Sequence, residues 1–369
     1  MTPPPTDSRP DDTADAGADA GAGNTRDGDA LTPQGLLPET EAGRARRFLV
    51  QVPLVILLLG AVVSVAADAL LIGPVFRGAQ LELAEETRTL VVGASHAACA
   101  FDPAVLGGPD ADGAPSPLGP VVNAARHGEL MLSTLAKLER LLDDNPQVER
   151  VVLAFSPIHV AQWQDIHLLG GVPEARAQLL EYYPLYGPWE REQLTTVPDV
   201  FLARLKYDAG VPLDFTEDTG VFVRHLAGRL APEQYRFWGG YTGLGGSHLE
   251  QRLLDHIVEK YFVVDGAEAG VSERAVAAVE RLVERTRARG VALALVDTPV
   301  HPRFAARVPA LHRDVHAEVL AEVAARFPEA RLLRHGDLPV PDDHFLDPDH
   351  QNRAGARAYG ALVREELAR

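Results

Sequence analysis

The stretch Leu90-Val91-Val92-Gly93-Ala94-Ser95-His96, continuing through Ala97 to Pro103, constrains the fold more than any other part of the chain. A short β-branched apolar run stops at a glycine, and a helix-compatible segment follows. A buried parallel strand turns into a helix in this way. Ser95 then stands at the carboxyl end of the strand, where open α/β sheets bind their ligands. Its Oγ would enter the crevice. Its own N–H would sit near a helix N-terminus, where partial positive charge can stabilise an oxyanion. The same position also suits an N-cap serine, and this stretch alone leaves both roles open.

The far end of the chain reads Asp342-Asp343-His344-Phe345-Leu346-Asp347-Pro348-Asp349-His350-Gln351-Asn352, followed by a predicted helix from Arg353 to Ala368. The Asp347-x-x-His350 spacing can place a carboxylate against one imidazole nitrogen and leave the other free. Such a pair orients a histidine and stabilises its protonated form. With Ser95 it supplies nucleophile, orienter and base in the order Ser, Asp, His. The alternative is purely structural, because Asp-Pro-Asp makes a good turn and Asn352 a good cap.

Gly-Ala-Ser-His near the start of an α/β region, with Asp-x-x-His near its end, resembles the SGNH (GDSL-type) hydrolase superfamily. The membrane-anchored envelope members, such as the D-alanine transfer and alginate O-acetylation proteins, are the nearest in flavour. The resemblance spans roughly residues 88–160 and 291–369. Ala94 stands where the family usually has Asp. The family places a glycine after the second strand as an oxyanion donor, and by position that residue is Gly128. Its Gly-x-Asn-Asp block after the third strand is replaced here by Ser156-Pro157-Ile158-His159, similar to the Ser-Pro turn of the D-alanine transfer proteins. Ser156 or His159 is the substitute donor that the resemblance implies, and the departure bears directly on whether the oxyanion hole is complete.

Charge narrows the partners. With 35 basic and 52 acidic residues the chain carries a formal charge of −17, which argues against nucleic acid. Cys99 is the single cysteine, so no intramolecular disulfide is possible; a small buried residue is its expected role.

Residues 1–47 are rich in Pro, Asp, Ala, Gly and Thr and nearly free of bulky apolar side chains, which predicts a disordered tail. From Phe48 to Ala67 there are 20 residues without a charge, and apolar character resumes as far as Phe76. A hydrocarbon core of about 30 Å needs about 20 helical residues, so residues 48–76 are expected to be a transmembrane anchor. Arg44, Arg46 and Arg47 precede it and predict a cytoplasmic N-terminus, which puts residues 77–369 outside the cytoplasm. Small residues at 65–69 would also suit a signal-peptidase site, but the run is long for a cleaved signal.

Alternating strand and helix signals follow. Strands are expected at Val121–Asn123, Arg150–Phe155, Val291–Val296 and Ala330–Leu333. Helices are expected at about Leu130–Asp143, at Ser272–Gly290 and at 308–327. The pattern means an α/β fold, a parallel sheet flanked by helices as in an SGNH or flavodoxin-like three-layer sandwich. Residues 160–270 read as an aromatic-rich insertion holding Trp163, Trp189 and Trp238. Those aromatics suit either an insertion core or a sugar- or acyl-binding wall. Phe237–Gly246 reads as a flexible glycine-rich loop without phosphate-binding spacing. His248 and His256 lie eight apart on a possible helix and lack the close spacing of zinc ligands.

The expected function is acyl-ester chemistry on a cell-envelope polysaccharide, as ester hydrolysis or O-acyl transfer. Ser95 is the nucleophile, His350 the base and Asp347 its orienter, with the N–H groups of Ser95 and Gly128, and Ser156, around the oxyanion. The mechanism requires no metal and no organic cofactor. The partners are the membrane, an envelope glycan or acyl donor and, by the resemblance, a membrane-bound O-acyltransferase. Two other classes remain: a non-catalytic scaffold or glycan-binding protein, and a divalent-cation module built on Asp342, Asp343, His344, Asp347, Asp349 and His350.

Overall fold

The computed structural model describes residues 83–109, 113–165, 182–197 and 239–369, together with 52, 54, 55, 58, 59, 62, 179 and 200. The chain divides into two units after Leu54. In the first, Val52 and Leu54 are described, both helical and exposed. The tail at 1–47 and nearly all of the expected anchor at 48–76 lie outside the described residues. Among the described residues no helix is long and apolar enough to cross a membrane.

The second unit is built on a five-stranded parallel sheet. In chain order it begins with β1 (Thr89–Val92), α1 (Ser95–Ala100), α2 (Pro103–Leu106), β2 (Val121–Asn123), α3 (Met131–Asp144) and β3 (Arg150–Ala154). Next come α4 (Pro188–Gln193), α5 (Gln251–Phe262) and a small antiparallel hairpin of β4 (Val263–Val264) and β5 (Ala267–Glu268). The order continues with α6 (Glu273–Ala288), β6 (Ala292–Asp297), α7 (Pro302–Ala305), α8 (Ala310–Arg326) and β7 (Arg331–Arg334). A second hairpin, β8 (Phe345–Asp347) and β9 (His350–Gln351), leads into α9 (Arg353–Ala368).

The sheet order β2-β1-β3-β6-β7 is that of a flavodoxin-like fold, and its direction of progression reverses between β1 and β3. Ligands of such sheets bind outside the strands' carboxyl ends at that switch point. Each strand feeds both faces. Leu90, Val92, Val151, Leu153, Leu293 and Leu295 join the core on one side, with α3, α6 and α8. Val91, Val152, Ala154, Ala294 and Val296 join the other, with α1 and α9. The sandwich is therefore three layers deep, and its parallel strands are apolar on both faces because both are covered.

The local signals act as chemistry demands. Ser272 caps α6 by accepting the Ala275 N–H at 3.1 Å. Asn352 caps α9 by accepting from Ala354 and Gly355. Gly93 takes φ +131°, and a Cβ there would lie 3.2 Å from the Ala154 carbonyl oxygen, so the turn after β1 needs glycine. Ser95 is not the cap. That position falls to Ala94, which makes no side-chain cap bond, and Ser95 is the first residue of the helix.

The described part of the insertion corrects three expectations. Its aromatics form neither a separate core nor a wall: Trp163, Tyr182, Tyr183, Tyr186, Tyr261 and Phe262 belong to the main apolar cluster. Trp238 lies outside the described residues. The glycine-rich segment is stitched down from Gly239 onward rather than loose. Gly240 N–H donates to Ala125, Thr242 N–H to Ala98 and Arg353 N–H to Leu244. His248 also lies outside α5, so it does not share a helix with His256.

The turn carrying Gly128 is anchored from below. Glu129 and Lys137 are fully buried and paired at 2.6 Å, and the Tyr182 hydroxyl donates to the same carboxylate. Removing one partner of such a pair leaves a desolvated charge. Lys137→Met should lower unfolding free energy by about 3–5 kcal/mol, and adding Glu129→Leu should restore most of the loss. Urea denaturation of the single and double variants checks this.

Candidate active site

The carboxyl ends of β1 and β3 and the β8–β9 hairpin meet at the switch point. The first two supply Ser95-His96 and Ser156; the hairpin supplies Asp347, Asp349 and His350. Helix α1 packs on β9, and the His96 and His350 rings lie 5.3 Å apart edge to face. The two sequence-distant motifs are thus brought together.

Asp347 does two things at once. Its Oδ1 accepts the backbone N–H groups of Asp349 and His350 at 3.0 and 2.9 Å, which closes the Asp-Pro-Asp turn. Its Oδ2 lies 2.9 Å from His350 Nδ1. One carboxylate thus both closes the turn and orients the ring. His350 Nδ1 also faces Asp349 Oδ1 at 3.2 Å. Its Nε2 is buried, and among the described residues it has no hydrogen-bond partner. The Ser95 hydroxyl is therefore not bonded to it, although Ser95 is itself buried at the start of α1.

Charge explains the protonation. Burial by itself would lower the His350 pKa, but the Asp349 and Asp347 carboxylates hold it well above the ordinary histidine value. Burial would likewise raise Asp349, yet His350 and then His96 keep its carboxyl well below the usual range. The resting pair is an imidazolium against two carboxylates. His127, whose ring is 6.3 Å from His350, is pushed down by burial and by His350 and His96. Cys99 is buried in the same wall and its thiol is pushed up by burial, as a packing cysteine's would be.

Gly128 lies in the turn after His127 with φ +68° and open space where a Cβ would stand. Thr242, from the pinned segment, receives or donates a 2.7 Å bond with His127 Nε2 and closes this side of the crevice.

Ser156 is placed differently from the expected oxyanion donor. Its backbone N–H donates to His159 Nδ1 at 3.0 Å. Its Oγ lies between His159 Nδ1 at 3.1 Å and His96 Nδ1 at 3.2 Å. His159 is fully buried, and desolvation, with His96 and His316 nearby, lowers its pKa to about 3. The donors expected to replace the missing asparagine are engaged with each other.

Sequence reasoning passed over His96 and gave Asp349 no catalytic part, although each is adjacent to a residue it singled out. Asp297 ends β6 and Thr298 follows it. Both line a cavity of ≈ 180 Å³ with His96 and Ser156, and burial beside Asp337 raises Asp297 to about 7. For a metal, the ligand atoms of His96, Asp349 and His350 lie within 4.8 Å of one another. That set shares only Asp349 and His350 with the acidic module expected from sequence. Asp342 instead faces His301 Nε2 at 3.3 Å.

No protein-family model matches the chain, and no curated protein matches it.

The sign of the pH dependence follows. A histidine whose folded pKa is raised stabilises fully below its unfolded value of about 6.5 and loses that contribution as pH climbs through the folded value. Asp349, depressed on folding, contributes above its unfolded value of about 3.9 and loses it as pH falls. Stability should therefore be greatest in mildly acidic solution and decline above neutrality. His350→Gln should flatten the alkaline decline. Guanidinium denaturation between pH 5 and 9 measures both.

Proposed function

We propose that this protein is a membrane-anchored SGNH-like serine esterase or O-acyltransferase acting on a cell-envelope polysaccharide through an acyl-Ser95 intermediate. The observation that carries the reading is the Asp347–His350 pair at 2.9 Å, with Nε2 unpartnered among the described residues beside the helix that Ser95 begins. A nucleophile elbow at a strand end, an oriented histidine and a free imidazole nitrogen are the parts of a serine acyl-transfer site.

In this mechanism Ser95 attacks the acyl carbonyl while His350 Nε2 takes its proton, then returns that proton to the leaving alcohol. Asp347 fixes the ring through Nδ1. The N–H groups of Ser95 and Gly128 face the oxyanion, and Gly128 holds the turn at φ +68°, a conformation glycine adopts without strain. No metal or organic cofactor takes part. Anchoring by residues 48–76 rests on their composition and on Val55, Leu58, Leu59 and Val62, which are helical with apolar side chains 51 to 61% exposed. The glycan, the acyl donor and a membrane-bound O-acyltransferase partner come from the family resemblance.

Because His350 rests as an imidazolium, turnover requires its deprotonation. The rate of p-nitrophenyl acetate hydrolysis should climb with pH through neutrality and level off only above the raised His350 pKa. Ser95→Ala and His350→Gln should each lower it, and wild type should carry an acyl group on the Ser95 peptide that Ser95→Ala lacks. Equal turnover by wild type and Ser95→Ala, with that peptide unmodified, would sink the assignment and favour the glycan-binding scaffold. Chelator should leave the rate unchanged; loss of activity restored by a divalent ion would favour the cation module.

A further inference from the structure

We propose that Ser156 is a second nucleophile of this crevice, with His96 as its base and Asp349 as the residue that positions His96, acting on short-chain carboxylic esters. The inference stands apart from the role of Ser95.

Asp349 Oδ2 lies 3.5 Å from His96 Nε2, and both side chains are 1% exposed. An ionised carboxylate only accepts. With its proton on Nε2 the His96 ring turns an N–H towards Asp349, across a 3.5 Å approach that is not an aligned hydrogen bond. Nδ1 is left with a lone pair, and the hydroxyl 3.2 Å away is Ser156. The competing acceptor, His159 Nδ1, already takes the Ser156 backbone N–H at 3.0 Å. The Ser156 hydroxyl proton is thus directed at His96, whose opposite nitrogen faces a buried carboxylate. Carboxylate, imidazole and hydroxyl in that order are the constellation that activates a serine, recognised by geometry rather than chain order.

The site also has room for a substrate. The ≈ 180 Å³ cavity has His96 and Ser156 on its wall and Ile158, Val300, Phe304 and Val308 as its apolar lining. That volume is below the range of about 300–1,000 Å³ that holds drug-sized ligands, so it suits a short acyl chain. Thr298 stands on the same wall.

The chemistry balances without a further reagent. Ser156 Oγ bonds to the ester carbonyl carbon as its proton passes to His96 Nδ1. The bond to the alkoxy oxygen breaks, and the alcohol leaves with that proton. Water then cleaves acyl-Ser156 by the same sequence, releasing the carboxylic acid and restoring the serine.

The test uses a short-alkyl fluorophosphonate on the full-length chain, with the modified residue mapped by peptide mass spectrometry. Wild type should carry adducts on both Ser95 and Ser156. Ser95→Ala should keep the Ser156 adduct alone, and adding His96→Asn should slow its formation by about 100-fold or more. Far-ultraviolet circular dichroism establishes that each variant is folded, and the wild-type map decides the matter if one is not. An adduct confined to Ser95 in wild type, with none on Ser156, would overturn the proposal and leave the Ser95 reading intact. Labelling of Ser156 with Ser95 untouched would uphold it and remove that reading. Ser156 labelling at an undiminished rate in the His96→Asn variant would overturn the base assignment.

Discussion

The structure of this crevice turns on a carboxylate that water cannot reach. Asp349 is 2% exposed, and among the described residues neither of its oxygens makes an aligned hydrogen bond. Each oxygen faces an imidazole instead, His96 on one side and His350 on the other. A desolvated charge is tolerable only with a counter-charge at hand. That requirement draws α1 and the β8–β9 hairpin together and fixes the protonation of His350. The rest of the site, including the free Nε2 of His350 and the direction of the Ser156 hydroxyl, follows from where those protons must sit.

Sheet topology supplies the meeting place. Because β1 lies between β2 and β3, the segments leaving β1 and β3 diverge at the switch point and open a crevice between them. Ser95 and His96 enter it from one strand, and Ser156 from the other. The hairpin before α9 closes it from the chain's far end, and the Gly239–His248 segment is bonded across it to Ala98, Ala125 and Leu346. Beneath, the buried Glu129–Lys137 pair and Tyr182 hold the Gly128 turn, tying the aromatic region to the same site.

The α/β alternation and the order of the main strands were legible because parallel strands covered on both faces leave apolar runs, and capped helices leave polar punctuation. Asp347 and His350 were legible as a pair because their partnership is local, three residues apart. Ser95 was legible because a strand stopping at Gly93 needs a glycine at φ +131°. His96 and Asp349 were not, since what marks them is a contact of 3.5 Å between residues far apart in the chain. No periodicity records such a contact. The surroundings of Ser156 were hidden for the same reason: a serine at a strand end reads as a donor, and only the structure sets its Oγ between His159 Nδ1 and His96 Nδ1. The aromatics of the insertion looked autonomous only because their partners lie on α3 and the central sheet.

Sharing Asp349 has a mechanistic consequence. When His350 gives up its extra proton to act as a base, Asp349 Oδ1 loses its cationic neighbour while Asp347 keeps the Nδ1–H. The carboxylate's remaining polar neighbour among the described imidazoles is then the His96 Nε2–H. Its pull on that proton strengthens, shared with the buried Tyr261 hydroxyl beside the same carboxylate, because buried charges interact through a low dielectric. Two serines set on adjacent strands would in this way draw on one carboxylate. In the proposed mechanism, activation of the first histidine would increase the hold on the second, and the hairpin would act as a common electrostatic support rather than as a part belonging to either serine.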